Sequence, residues 1–244
     1  MNGKKALVTG ASSGIGKGIA LALAAKGVDV ALVGRNEARL QETAQEIAKV
    51  SNVKTICLVA DVAVEADVKR VIEQAAQEFG SLDYLVNNAG VSQRSSYTIE
   101  EIESKEFERI MQTNVNSVLY CCREAMPYLK QSNGAYIINI LSTAAFATGA
   151  GGGMYSASKY AARALHESLE LSCKGSNVKV SAISPGPVNT NIWSHKLEAV
   201  SDKRKENMLK IENIADIVLF LLTMDPNIHI GNITVEPWFY VKGK

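Results

Sequence analysis

The stretch TGASSGIGKGIALALAAKG, residues 9–27, follows the apolar run KALVT (5–9) and sets glycines at 10, 14 and 16 where that run gives way to a helical pattern. Glycine lacks a Cβ, so the backbone at these positions can approach a ligand phosphate closely. The N-terminus of the following helix presents unpaired N–H groups and the positive end of the helix dipole. A tight turn packing a helix on a sheet would explain one or two such glycines. Three at this spacing, in the first βα unit, point to nucleotide binding. The order is T-G-x-x-x-G-x-G, from Thr9 to Gly16. It differs from the common G-x-G-x-x-G because Ile19 stands at the place of the last glycine, and no G-K-[ST] follows to make a P-loop. Gly10, Ser12, Ser13, Gly14, Ile15 and Gly16 are the expected cofactor-binding residues of this loop.

Outward from the loop the pattern repeats. Apolar runs at 28–34 (VDVALVG), 53–59 (VKTICLV), 82–87 (LDYLVN), 135–141 (AYIINIL), 178–184 (VKVSAIS) and 232–236 (NITVE) alternate with helical segments starting near Ile15, Asn36, Val64, Glu100, Met154 and Ile211. Strands that are apolar nearly throughout suit a parallel sheet covered on both faces. The βαβ alternation implies right-handed crossovers. The expected fold is α/β: a Rossmann-type doubly wound parallel sheet of about seven strands with helices on both faces. No linker, low-complexity tract or repeat divides the chain, so residues 1–244 read as a single dinucleotide-binding catalytic domain. The stretch 191–210, NIWSHKLEAVSDKRKENMLK, breaks the rhythm. It is long, charged and lacks a strand pattern, and it reads as a substrate lid or insertion, with DKRKEN as a solvated face.

The 244 residues are 47% hydrophobic and 21% charged, with a formal net charge of +1. That balance leaves no electrostatic footprint for nucleic acid or a membrane surface. Cys57, Cys121, Cys122 and Cys173 form no C-x-x-C pair, and His166, His195 and His229 have no metal-ligand spacing. No metal site is therefore expected, and the cysteines are expected to be reduced. The apolar residues after the first lysines are too few for a signal-peptide core, and no apolar run of about 18 residues occurs. The expected compartment is the cytoplasm.

About 20 residues past the glycine loop, an NAD-specific Rossmann fold places an acid for the ribose 2′-hydroxyl. Here the second strand ends ALVGRNEARL, with Gly34 and Arg35 at that place. Arginine grips a 2′-phosphate through a planar, charge-assisted fork, whereas a carboxylate repels it. The expected cofactor is NADP(H). The alternative is that Arg35 is a solvated loop charge while Glu37 does the acid's work. Lys17 is either a further charge for the cofactor or an exposed helix residue.

The segment MYSASKYAARAL, 154–165, sets Tyr155 and Lys159 four apart, so that on a helix they share one face. Alone, this is also an ordinary surface pattern. With T-G-x-x-x-G-x-G, N-N-A-G at 87–90 and Y-x-x-x-K at 155–159 in this order over nearly the whole chain, the sequence resembles the short-chain dehydrogenase/reductase family. The resemblance implies that Tyr155 is the general acid/base and that Lys159 lowers its pKa while bonding the nicotinamide ribose. It implies that Ser142, thirteen residues before Tyr155, holds the substrate oxygen. It also implies that Asn114, in IMQTNVNSVLY, binds a water linking Lys159 to solvent. Asp61 with Val62 is implied to touch the adenine, and Asn88, Ala89 and Gly90 to close over its ribose. Pro185 and Gly186 resemble the family's P-G pair, and Thr190 its nicotinamide-carboxamide contact. Simpler roles stand beside these: a helix cap for Asp61, a turn for Gly90, a rigid corner for Pro185 and Gly186.

The residue types suit the chemistry. Reducing a carbonyl takes a hydride at carbon and a proton at oxygen, and a free phenol with a pKa near 10 exchanges protons poorly at neutral pH. A nearby ammonium and the charge of oxidised nicotinamide stabilise the phenolate. Lowering the pKa by about three units corresponds to about 4 kcal/mol. Several positions depart from common family patterns: Leu141 before Ser142, Ser117 three residues after Asn114, and the tail IGNITVEPWFYVKGK. That tail is more similar to relatives acting on small hydroxy compounds or general carbonyls than to fatty-acid ketoacyl reductases, with a different subunit packing as the alternative reading.

Substrate selection is expected from Ser92, Gln93, Arg94, the loop ATGAGGG (147–153) and the lid around Trp193, with Arg94 read first as an exposed charge and alternatively as a partner for a substrate carboxylate. The expected function is NADP(H)-dependent interconversion of a small-molecule carbonyl and a secondary alcohol. The alternatives are a 3-oxoacyl-carrier-protein reductase and a non-catalytic NADP-binding regulatory protein, the latter opposed by the presence of Ser142, Tyr155 and Lys159. A homodimer or homotetramer is expected, formed through the long helices near 100–130 and 154–174.

Overall fold

The computed structural model describes residues 1–195 and 201–239. Seven parallel strands, β1 (Lys5–Thr9), β2 (Asp29–Gly34), β3 (Thr55–Val59), β4 (Tyr84–Asn87), β5 (Ala135–Ile140), β6 (Val178–Pro185) and β7 (Asn232–Val235), form one sheet in the order β3-β2-β1-β4-β5-β6-β7. Each coincides within two residues with an apolar run read from the sequence. The chain builds outward from β1 to β3, then crosses to β4 and builds the other way. Helix ends and loops therefore diverge above β1 and β4, where ligands enter doubly wound folds.

Strand alternation divides the core. On β1, Ala6 and Val8 join Ile19 and Leu23 of α1 (Gly14–Ala25) and Val218 and Leu221 of α8 (Ile211–Thr223) on one face. Leu7 points to the other face, with Val71 and Ile72 of α3 (Glu65–Phe79) and Ala125 and Leu129 of α5 (Ser117–Leu129). Both faces are covered, which is why these strands read as continuous apolar runs. Each fully buried Leu or Ile contributes about 1.5–3 kcal/mol of transfer free energy. The remaining helices are α2 (Glu37–Val50), α4 (Ser104–Met111), α6 (Gly153–Cys173) and α7 (Asp202–Glu206). No helix among the described residues is long and apolar enough to cross a membrane.

Two stretches differ from the sequence pattern. The helix expected from Glu100 is a 3₁₀ turn at Ile99–Glu101 followed by α4 from Ser104, then a π turn at Gln112–Asn116 before α5. At that turn the Ser117 hydroxyl donates to the Thr113 carbonyl at 2.6 Å, and the Asn114 side chain is tied to Val91. Side chains that intrude on the helical ladder in this way widen it locally. In the stretch 191–210, residues 196–200 lie outside the described residues. Its flanks are tied together by a parallel bridge between Val188 and Leu209, and Trp193 Nε1 donates to the Val188 carbonyl at 2.8 Å.

The glycines of the first loop divide their work. A Cβ at Gly16 would lie 2.4 Å from both Asn88 Nδ2 and the Gly10 carbonyl oxygen, so this glycine lets α1 close on the β1 and β4 loops. Gly18 does the same against α8, where a Cβ would lie 2.2 Å from Ile211 Cγ2. This is the close-packing role that the missing glycine at position 19 would otherwise hold. Gly16→Ala is expected to destabilise the fold by about 1–3 kcal/mol through overpacking against backbone. Gly18→Ala should cost less, because it meets a side-chain methyl, Ile211 Cγ2, which a χ1 change can move, rather than backbone. Urea melts of both variants check the order, and an equal or inverted pair of losses would contradict it.

Candidate active site

The C-terminal ends of β1 to β5 open on one cleft of about 1060 Å³. Gly10, Ser12, Ser13, Gly14, Ile15, Arg35, Asp61, Val62, Asn88, Ala89, Gly90, Tyr155, Lys159 and Thr190 all line it. Gly16, Asn114, Ser142, Pro185 and Gly186 are not part of this lining. Gly14 adopts φ +55°, a left-handed conformation suited to glycine, and Ser13 starts α1 without a side-chain cap. The N-terminus of α1 thus stands at the cleft without a side-chain cap, a fit for a dinucleotide's phosphates.

At one end, Arg35 reaches to 3.9 Å from Asp61, whose other oxygen accepts the Ala63 N–H at 3.0 Å. Asp61 therefore closes a turn before α3 as well as lining the cleft, and the cap on α3 is Val64. Arg39 lines this end too, and the sequence reading overlooked it. Its signal was present: it stands four residues after Arg35, in the first turn of a helix capped by Asn36, whose Oδ1 accepts the Arg39 N–H. Lys17 pairs instead with Glu46 at 2.8 Å.

At the other end, α6 carries Tyr155 and Lys159 on one face. Ser142, just past β5, stands near enough to the Tyr155 phenol to lower its pKa, and it caps the turn behind it by accepting the Ala144 N–H at 3.1 Å. The Lys159 ammonium donates to the Ile140 carbonyl at 3.2 Å and lies 5.8 Å from the centre of the Tyr155 ring. Asn114, on the π turn, accepts the Val91 N–H at 2.8 Å through Oδ1. Its Nδ2 donates to the Val91 carbonyl and to Ser158 Oγ. Both amide hydrogens are used, so the Asn114 side chain offers a water near Lys159 only the second lone pair of Oδ1, beside the residue's own backbone carbonyl. Gly90 lies between the two groups, where a Cβ would stand 3.4 Å from Asn114 Oδ1 and 3.8 Å from Lys159 Nζ.

Gln93, expected among the substrate-facing residues, does not line the cleft. It is buried, and its amide accepts the Tyr155 N–H at 3.2 Å while donating to the Gly151 and Ser95 carbonyls. A buried amide satisfies its polar atoms first, and here that fastens the start of α6 to two loops. Pro185 ends β6, and Gly186 packs on the tail, where a Cβ would lie 3.2 Å from Pro237 Cδ.

Burial raises the Tyr155 phenol above its ordinary value, against the opposing hydrogen bond from Ser142, and pushes Lys159 down to about 8. In this arrangement both groups lean toward their neutral forms, because desolvation outweighs their attraction. The lysine's folded-state value lies below its ordinary 10.5, so stability rises as pH climbs from about 8 to 10.5. Lys159→Met lacks that rise. Wild type is therefore expected to gain up to about 3 kcal/mol on the variant over this window. Urea melts across pH measure it, and parallel curves would contradict it.

A family model described as short chain dehydrogenase matches residues 4–201. An uncharacterized oxidoreductase of Staphylococcus epidermidis is 34% identical over 234 residues, 96% of this chain and 97% of its own. One of Staphylococcus aureus is 35% identical over the same shares. An alcohol dehydrogenase from the archaeon Thermococcus sibiricus, complexed with 5-hydroxy-NADP, superposes with a TM-score of 0.89 at 28% identity, over 98% of both chains. A short chain dehydrogenase from Burkholderia cenocepacia in complex with NADP gives 0.86 at 28% identity, over 97% of both. The seven-stranded sheet, the cleft at its topological switch and these matches along the chain agree: this protein belongs to the short chain dehydrogenase family and is an oxidoreductase.

Proposed function

We propose that the protein interconverts a carbonyl and a secondary alcohol with NADP(H), with Tyr155 as general acid/base. The observation that carries this reading is the convergence of Ser142, Tyr155 and Lys159 at one end of a cleft whose other end holds Arg35 and Arg39. When bound, NADPH supplies the hydride to the carbonyl carbon. Ser142 and Tyr155 hold the substrate oxygen between two hydroxyls, and Tyr155 gives its proton to that oxygen as charge develops there. Lys159, fixed by the Ile140 carbonyl, steadies the phenolate that remains. The two arginines supply the charge-assisted bonds a 2′-phosphate requires, and the NADP-containing structures of similar proteins support that choice. The four cysteines are free, as suits a reducing compartment such as the cytoplasm.

Self-association is proposed through the apolar groove between α5 and α6, lined by Val118, Leu119, Met126, Pro127, Leu165 and Leu169. A second copy laying its own α5 and α6 there would bury the same patch on both partners. Leu119 is exposed in the single chain. Light scattering is expected to give a mass above the 26.3 kDa of one chain, and Leu119→Glu to shift it toward that value. A wild type already monomeric at micromolar concentration would contradict this.

NADPH consumption across a panel of ketones, aldehydes and 3-oxoacyl thioesters tests the chemistry. Tyr155→Phe is expected to lower turnover by about 10²–10⁴-fold, while NADPH binding, followed by fluorescence titration, persists. Turnover that survives the substitution would overturn the role given to the phenol. Arg35→Glu is expected to raise the KM for NADPH by about tenfold or more, in line with a lost charge-assisted bond. An undiminished preference for NADPH in that variant would remove Arg35 from the reading.

A further inference from the structure

We propose that Arg94 and Arg109 form a subsite for a carboxylate carried by the substrate, at the Tyr155 end of the cleft. This deepens the carbonyl–alcohol reading and rests on it. The loop after β4 is fixed at three consecutive residues. Val91 is held at its N–H and carbonyl by Asn114. The Ser92 carbonyl accepts from Arg109 Nη2 at 3.2 Å, and Gln93 grips the backbone of Tyr155. Arg94 is the next residue, so the loop carries it beside the start of α6, and both arginines line the cleft.

Charge at this end is unbalanced. Among the described residues lining the cleft the one carboxylate is Asp61, and it lies toward Arg35 at the far end. Near Tyr155 the charged lining residues are Arg94, Arg109 and Lys159. Glu106 engages Arg109 through Nε at 2.7 Å and Nη2 at 2.8 Å, leaving Nη1 outside the pair. The Glu106 carboxyl is held below its ordinary value chiefly by Arg109, and the charge of Arg94 adds to this, so the three form one cluster. Two guanidinium groups against one carboxylate leave a surplus positive charge. Arg94 itself is exposed and makes no hydrogen bond or ion pair among the described residues. A planar fork of donors beside a half-used second guanidinium is the arrangement that takes a carboxylate.

The test pairs keto acids with their neutral esters: 4-oxopentanoate, 5-oxohexanoate and 6-oxoheptanoate, each beside its methyl ester, so that chain length samples the reach of the arginines. For at least one length the acid is expected to show a kcat/KM about tenfold or more above its ester at low ionic strength, mostly through KM, with the gap narrowing as salt is added. Arg94→Gln should abolish that acid-over-ester ratio, and Arg109→Gln should reduce it. Calorimetric titration of acids and esters into the NADP⁺-saturated enzyme should show the same order without turnover. Esters that equal or exceed the acids at every length in both measurements would overturn the subsite and make Arg94 a solvated surface charge. So would an Arg94→Gln variant in which both classes fall alike. The esters and NADPH report on the carbonyl chemistry by themselves, so its failure is distinguishable from failure of the subsite.

Discussion

The hydrogen bonds between Thr9 and Asn88 hold together the two halves of the sheet where the active cleft begins. Thr9 Oγ1 accepts the backbone N–H groups of both Asn88 and Ala89 at 3.0 Å, and Asn88 Nδ2 donates back to the Thr9 carbonyl at 2.9 Å. This knot ties the end of β1 to the end of β4, the pair at which strand order reverses. Asn88 also occupies the space left by the missing side chains of Gly10 and Gly16. The shape of the loop, the seating of α1 and the width of the cleft therefore depend on one asparagine in contact with two glycines. Gly16 serves protein packing alone, whereas Gly10 both packs on Asn88 and lines the cleft beside Gly14.

A second polar line fastens α6, which carries Tyr155 and Lys159. Asn87 donates to Asn139 at 2.8 Å, and Asn139 donates to His166 Nδ1 at 3.1 Å. His166 Nε2 then donates to the Gly231 carbonyl at 3.1 Å, next to β7. Burial keeps the His166 ring below its ordinary pKa, which favours the neutral form this line needs. Gln93 grips the first turn of the same helix and the Ile140 carbonyl receives Lys159. The helix is thus held at its start, its reactive turn and its middle. Asn87 Oδ1 is buried without a partner among the described residues, so the hold of this line comes from the directed bonds that run from the Asn87 amide through Asn139 and His166.

The strands were legible because the central strands are covered on both faces, so they read as short apolar runs bounded by glycine or polar residues. The glycine loop, the N-N-A-G segment and the Tyr155–Lys159 pair were legible because backbone approach and one-turn spacing leave local marks in a sequence. Less visible was the π turn at Asn114, since a widened turn has no periodicity of its own. Gln93 was misread for a related reason: a polar residue in a loop looks exposed until the partners that bury it are known.

The sequence by itself determined the α/β class, the strands along the chain, the glycine loop and the one-turn spacing of Tyr155 and Lys159, because these follow from side-chain type and local spacing. Only the tertiary structure decided that Gly16 and Gly18 serve packing, that Arg39 joins Arg35, that Lys17 turns away to Glu46, and that Arg94 and Arg109 line the same cleft. Each of these depends on groups brought together from distant parts of the chain, and burial, charge and reach are properties of that assembled neighbourhood.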